Sequence, residues 1–214
     1  MKKMTALLLA IVLAFGCTPA LAKDWKYQSE NLGVSIMLPD TLQVIGDFKS
    51  RENENEIYMY FYMPENDAQI NATLTYVPAF LGLQTKTLPK EEIEEWKAFF
   101  MADYPKHSKS VLIRPNYNSS QRIYRFYGMS KEGKWMLNYS GVRDGLYVSV
   151  SCEMGRFGYR RNLMQAIFEI FNDCFQMFAK SRGVDFVRYS PDDYEVEIFN
   201  LLYDDSPTSI FRNY

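Results

Sequence analysis

Histidine is the commonest general base, and this chain of 214 residues holds one, His107, in the polar run Pro105-Lys106-His107-Ser108-Lys109. A histidine-centred nucleophilic site needs serine and aspartate gathered around it. No nucleophile-elbow motif supplies them, so His107 reads as a solvated loop residue. The acidic residues Asp192, Asp193, Glu195 and Glu197, then Asp204 and Asp205, form a second set. Paired carboxylates can hold a divalent cation or divide acid and base work, but no fixed spacing enforces that here. Helix capping and a solvated face are the simpler reading. The sequence has no paired histidine, CxxC, calcium-loop spacing or phosphate-cradling glycine loop. We expect no catalytic residue, no metal and no cofactor, hence no enzyme.

Two other sets are suited to contact. Arg156, Arg160 and Arg161 cluster where a long helix begins, and positive charge there opposes the helix dipole. Three readings stay open: exposed arginines whose stems cover apolar surface, pairing with the acidic C-terminal extension, or an anion or partner-carboxylate site shared with helix N–H groups. Tyr58, Tyr60 and Tyr62 alternate along one strand. They serve either as core beneath a helix or as an exposed aromatic recognition strip, because a tyrosine ring packs while its hydroxyl stays wet.

Period-2 and period-3.6 patterns place these residues. Residues 24–38 read as a hairpin turning at Asn31-Leu32-Gly33, followed by a strand near Leu42–Phe48 and a polar loop over Lys49–Asn55. In Glu56–Met63 the tyrosines oppose Ile57, Met59, Phe61 and Met63, which predicts a central strand covered on both sides. Gln69–Val77 continues the sheet. A helix starts at Pro89 as first helical residue, carries the stripe Ile93, Trp96, Phe100 and Tyr104, and ends before Pro105. Strands follow near Ser110–Arg114, Gln121–Tyr127, Lys134–Gly141 and Gly145–Met154, the last two joined at Arg143-Asp144-Gly145.

The helix Tyr159–Lys180 is the clearest element. Leu163, Ile167, Ile170, Phe171, Cys174 and Phe178 form its stripe, and Met164, Phe168 and Met177 widen it beyond what one sheet needs. Something further must cover it, and residues 181–214 are the local candidate, with a second helix start at Ser190-Pro191. Cys152 lies on the apolar face of its strand, near that helix's second turn, with Cys174 roughly 15 Å further along. That separation exceeds the reach of a disulfide, so both thiols read as free and buried.

Lys2 and Lys3, the apolar run Ala6–Phe15 and Ala20-Leu21-Ala22 have the layout of a secretory signal peptide cleaved after Ala22. Gly16-Cys17 keeps a lipoprotein anchor open as the alternative, and acylation of Cys17 is the one expected route to membrane contact. The expected organisation is a leader over 1–22, an α+β domain over 23–180 and a C-terminal extension over 181–214. Hydrophobic residues make up 47% and charged residues 23%, the profile of a folded domain. Loss of Lys2 and Lys3 takes the formal net charge from −2 to −4, which disfavours nucleic acid as a partner.

The succession of hairpin, strands, helix, antiparallel meander and long apolar helix over residues 24–180 resembles the PsbP-like family, DcrB-like members included. The resemblance is carried by Tyr27 through Leu38-Pro39-Asp40, with the strand Gly33–Leu38, and by Gly145-Leu146-Tyr147-Val148-Ser149-Val150-Ser151 leading into the helix. It implies an α/β/α sandwich with an antiparallel sheet of about six to seven strands, flanked by helices. It also implies binding or accessory work rather than catalysis; residues 181–214 have no counterpart in it. The expected function is an exported, non-catalytic protein in the periplasm or another extracytoplasmic space, acting on an envelope protein partner. A module for a small apolar ligand or lipid, held between sheet and long helix, is one alternative. An immunity or accessory protein of a secretion system is another.

Overall fold

The computed structural model describes residues 25–39, 41–113, 121–154 and 161–189. The expected leader with Cys17, the arginines Arg156 and Arg160, the side chain of Arg161, and the acidic residues from Asp192 to Asp205 lie outside the described residues. So does the helix start expected at Ser190.

The expected hairpin is β1 (Trp25–Ser29) and β2 (Val34–Leu38), a small antiparallel sheet of its own. Then come β3 (Gln43–Lys49), β4 (Glu56–Met63), β5 (Ala68–Tyr76), α1 (Lys90–Asp103), β6 (Lys106–Ile113), β7 (Ile123–Met129), β8 (Trp135–Arg143), β9 (Leu146–Met154) and α2 (Arg161–Arg182). The last seven strands form one sheet in the order β3-β4-β5-β9-β8-β7-β6, with antiparallel neighbours throughout. The fold is α+β: an antiparallel sheet with a helix on each face, as the sequence predicts. Two-residue turn chemistry sets the β8–β9 register. Asp144 and Gly145 both take positive φ, 49° and 83°, which lets Arg143 pair directly with Leu146.

One face of the sheet meets α2. Phe61, Ile70, Leu74, Val148, Val150, Leu137 and Tyr139 point that way, and none is more than 1% exposed. Every large apolar side chain along α2 from Leu163 to Phe178 is equally buried. Two elements close over its far side: β2 of the hairpin, and residues 184–189, which run back along the helix. Phe186 stacks on Phe175 with ring centroids 4.7 Å apart, and Tyr189 stacks on Phe171 at 6.0 Å. Asn172 clamps the Tyr189 main chain, and Arg188 bonds Glu169, Asp173 and Gln176. Cys152 and Cys174 are both buried and free.

The other face meets α1, which stands on β7 and β9. Trp96 packs on Tyr124 and Tyr147 at 5.5 and 5.2 Å, and Phe100 stacks on Phe126 at 5.1 Å. Pro89 is the N-cap and Lys90 the first helical residue, so the helix starts one position later than expected.

Three further expectations change. Strand β6 begins at Lys106, four residues earlier than its apolar alternation suggests, so His107 is a strand residue and not a loop residue. It takes φ 50° where the β6–β7 register shifts, and its ring lies 6.0 Å from Trp135. An outermost strand has one neighbour and no need of an apolar face on both sides, and lysines with a bulge discourage further pairing. Second, among the described residues β4 is covered on one side only: it lies one strand from the β3 edge, beyond the reach of α1. Third, the far side of α2 is shared, because the hairpin joins the C-terminal residues in covering it.

Candidate functional site

Cross-strand register shows how the α1 face is graded. One row reads Tyr60, Asn71, Ser151, Asn138, Phe126 from β4 to β7, and its neighbour reads Tyr58, Thr73, Ser149, Ser140, Tyr124. Phe126 and Tyr124 lie beneath α1. At the centre, Asn138, Ser140 and Ser149 are buried polar groups that satisfy one another. Asn138 Nδ2 donates to Ser149 Oγ at 2.8 Å and Ser151 Oγ at 3.0 Å, and Ser140 Oγ donates to Asn138 Oδ1 at 2.8 Å. A closed network of this kind costs little when buried and leaves little bonding capacity for a ligand.

At the other end of both rows, among the described residues, the face is open. Tyr60 is 36% exposed, and Phe48 of β3, in register with Tyr58, is 53% exposed with its ring 5.9 Å from Tyr60. Gln69 and Asn71 beside them are exposed. The two outer tyrosines are tied down. Tyr58 donates its hydroxyl to Glu56 at 2.6 Å, and Tyr62 donates to Asp67 at 3.0 Å. Each carboxylate acceptor favours the protonated phenol, so both hydroxyls titrate above the ordinary tyrosine value. Thr75 Oγ1 also donates to Glu56, at 3.2 Å. The middle ring is thus offered between two anchored ones. Among the described residues no helix lies over this ladder; Tyr60 is exposed, and Tyr58 and Tyr62 are half-buried.

A third row runs Tyr62, Gln69, Glu153, Met136, Gly128. At its centre Glu153 accepts from Lys134 Nζ and Tyr104 Oη, each at 2.7 Å. Lys134, then Tyr104, holds the Glu153 carboxyl below the usual glutamate range. Burial, and then the Glu153 bond, pushes Tyr104 up. The C-terminal end of α1 reaches Glu153 because Gly128 has no side chain; a Cβ there would lie 2.6 Å from the Tyr104 carbonyl oxygen. Asp67, Gln69, Lys134, Glu153 and Met154 line an open cavity of about 240 Å³ at this end of the tyrosine strip.

A larger open cavity, about 460 Å³, is lined by Gly82, Arg143, Asp144 and Asp185 among others. The space between sheet and α2, where an apolar ligand would sit, is occupied by Phe168, Phe171, Phe175 and Phe178. Among the described residues, no group of three or more His, Cys, Asp or Glu is arranged to hold a metal, and no helix is long and apolar enough to cross a membrane.

The structure therefore brings Tyr58, Tyr60 and Tyr62 together with Phe48, Glu56, Asp67 and Glu153. Sequence reasoning named only the tyrosines. The Glu153 triad joins residues 19 and 49 positions apart, and the bonds from Asn138 to β9 span 11 to 13, which no local spacing encodes. Arg161 begins α2, and with its side chain undescribed the arginine trio is not placed.

No protein-family model matches the chain. No curated protein matches it either. Among solved structures, it is similar to the solution structure of cyanobacterial PsbP (CyanoP) from Synechocystis sp. PCC 6803, at 12% identity and a TM-score of 0.38, over 77% of this chain and 94% of that one. A likeness at that level carries no argument about family or function.

Proposed function

We propose that this protein is exported and non-catalytic, and that it binds a protein partner of the cell envelope through the open half of its sheet. The observation that carries this is the exposure of Tyr60 and Phe48 beside two anchored tyrosines, on a face whose other half is sealed by α1. Rigid aromatic rings with hydroxyl and amide neighbours give large contact area at low entropic cost, the composition of recognition surfaces. The ionisable groups of that face support a binding role as well. Glu56, Asp67 and Glu153 accept bonds from protein donors, and Lys134 is spent on Glu153.

The double variant Phe48→Ser/Tyr60→Ser tests the proposal. Both side chains are surface-placed, so melting should move little, while co-purification of a partner from the native envelope should be lost. Retention of the partner by the folded variant would refute the role of the strip. Substrate turnover abolished by a Glu153→Gln or His107→Ala change would refute the non-catalytic assignment.

A further inference from the structure

We infer that the partner segment seated on this strip is basic, with an arginine or lysine directed at the Asp67–Glu153 end and its apolar portion over Tyr60 and Phe48. This rests on the binding role proposed for the strip and adds the chemistry of its occupant.

Charge on the open face is one-sided. By register, the residues of β3, β4 and β5 that share it are Gln43, Gly46 and Phe48, then Glu56 and the three tyrosines, then Gln69, Asn71, Thr73 and Thr75. They include a carboxylate at one end, Glu56, and no cation. At the other end, the β4–β5 turn adds Asp67. The cavity of about 240 Å³ beside it holds two carboxylates, Asp67 and Glu153, against the single ammonium of Lys134. That leaves its side chains with a formal charge of −1. Lys134 is engaged at 2.7 Å with Glu153, and Tyr62 donates to Oδ1 of Asp67, whose Oδ2 has no donor among the described residues. A cationic side chain entering from the strip would find a carboxylate at the cavity and tyrosine faces along its stem. Aromatic faces attract guanidinium and ammonium groups and repel carboxylates. An acidic segment would meet carboxylates at both ends, and a lipid tail would find a strip interrupted by Asn71 and Gln69.

The test is photo-crosslinking on the full chain in its own envelope, with benzoylphenylalanine in place of Tyr60 and the crosslinked peptides sequenced by mass spectrometry. The expected adduct is a protein segment with Arg or Lys within a few residues of the crosslinked position. Asp67→Asn, which suits the left-handed backbone at that site (φ 46°), should lower its yield about fivefold, the effect of losing one partly screened charge pair. Raised salt should lower it in the same direction. A crosslinked segment without a cation, or a yield indifferent to both Asp67→Asn and salt, would overturn the basic-segment inference while leaving the strip as the binding face. No protein adduct at position 60, or an adduct to lipid or glycan, would overturn both.

Discussion

Asn172 holds residues 184–189 against α2, and its removal has a calculable cost. The side chain is fully buried, accepts from the Tyr189 N–H at 2.9 Å and donates to the Tyr189 carbonyl at 3.1 Å. Asn172→Ala leaves two main-chain groups unsatisfied at a residue only 6% exposed. If the segment stays in place, each orphaned group costs ~1–3 kcal/mol, about 2–6 in total. If it lifts away, water rescues both groups, but the Phe186 and Tyr189 rings leave Phe175 and Phe171 at roughly 1.5–3 kcal/mol each. Because Phe186 begins only partly buried, the second route costs about 3–4 kcal/mol. The protein takes the cheaper route, so the expected loss is about 2–4 kcal/mol, or roughly 4–16 °C in melting temperature for a chain of this size. Urea unfolding gives the loss, and amide hydrogen exchange shows the route. A Tyr189 amide that exchanges freely in the variant means the segment has lifted; one that stays protected means it has not. A stability loss below about 1 kcal/mol, or a Tyr189 amide already unprotected in the unmodified protein, would refute the clamp. Asn172→Asp should be no milder, since an ionised carboxylate keeps the acceptor, loses the donor and buries a charge.

Gly128→Ala drives a Cβ to 2.6 Å from the Tyr104 carbonyl and 2.9 Å from the Phe126 ring, and should cost about 1–3 kcal/mol by calorimetry while lengthening the Tyr104–Glu153 bond. Burial pushes the Cys152 thiol up to about 12 and Cys174 well above the usual range, so neither should be alkylated at about pH 8 in the folded protein. Both should react in guanidinium; rapid native labelling of Cys152 would contradict its placement beneath α2. Glu153 titrates below its ordinary value of about 4.3, so its stabilising contribution is present above that pH and is lost as the pH falls through the lower, folded value. The stability gap between the protein and its Glu153→Gln variant should hold above about pH 5 and narrow below about pH 4. A gap that stays constant into that acid range would show the Lys134 and Tyr104 bonds to be incidental.

Much of the fold was legible because its periodicities are clean. The alternation in Leu146–Met154 and the stripe of α2 each specify one element and one buried face, and the hairpin turn at Asn31-Leu32-Gly33 needs only local chemistry. What failed did so for physical reasons. In β4 both faces look apolar, but a tyrosine ring is content half exposed, so its pattern does not say whether a helix lies above it. Around His107 a polar run conceals strand structure, because the ladder to β7 is made by the main chain and is indifferent to side-chain type. The partners of Tyr58 and Tyr62 lie only two and five positions away, within reach of inspection. Glu153, Tyr104 and Lys134 meet only through tertiary packing, and the start of that contact is an absent side chain at Gly128.

The open strip follows from the proportions of the sandwich. Seven strands at ~4.8 Å span about 29 Å between the outer axes, while a helix with its side chains is ~10–12 Å wide and shields two or three strands. On the α2 face the hairpin and residues 184–189 help to complete the cover. On the α1 face, among the described residues, the helix stands alone, and residue types change where its reach ends. Beneath it are Phe126 and Tyr124; next comes a polar network closed on itself; last come threonine, asparagine and tyrosine. Phenylalanine would serve at positions 58, 60 and 62 if this half were core. The Tyr58 and Tyr62 hydroxyls instead bond Glu56 and Asp67, and carboxylates keep their charge at low cost only near water or a cation. The same two acids that fix the outer rings therefore keep those hydroxyls at the wet edge of the face rather than in a core.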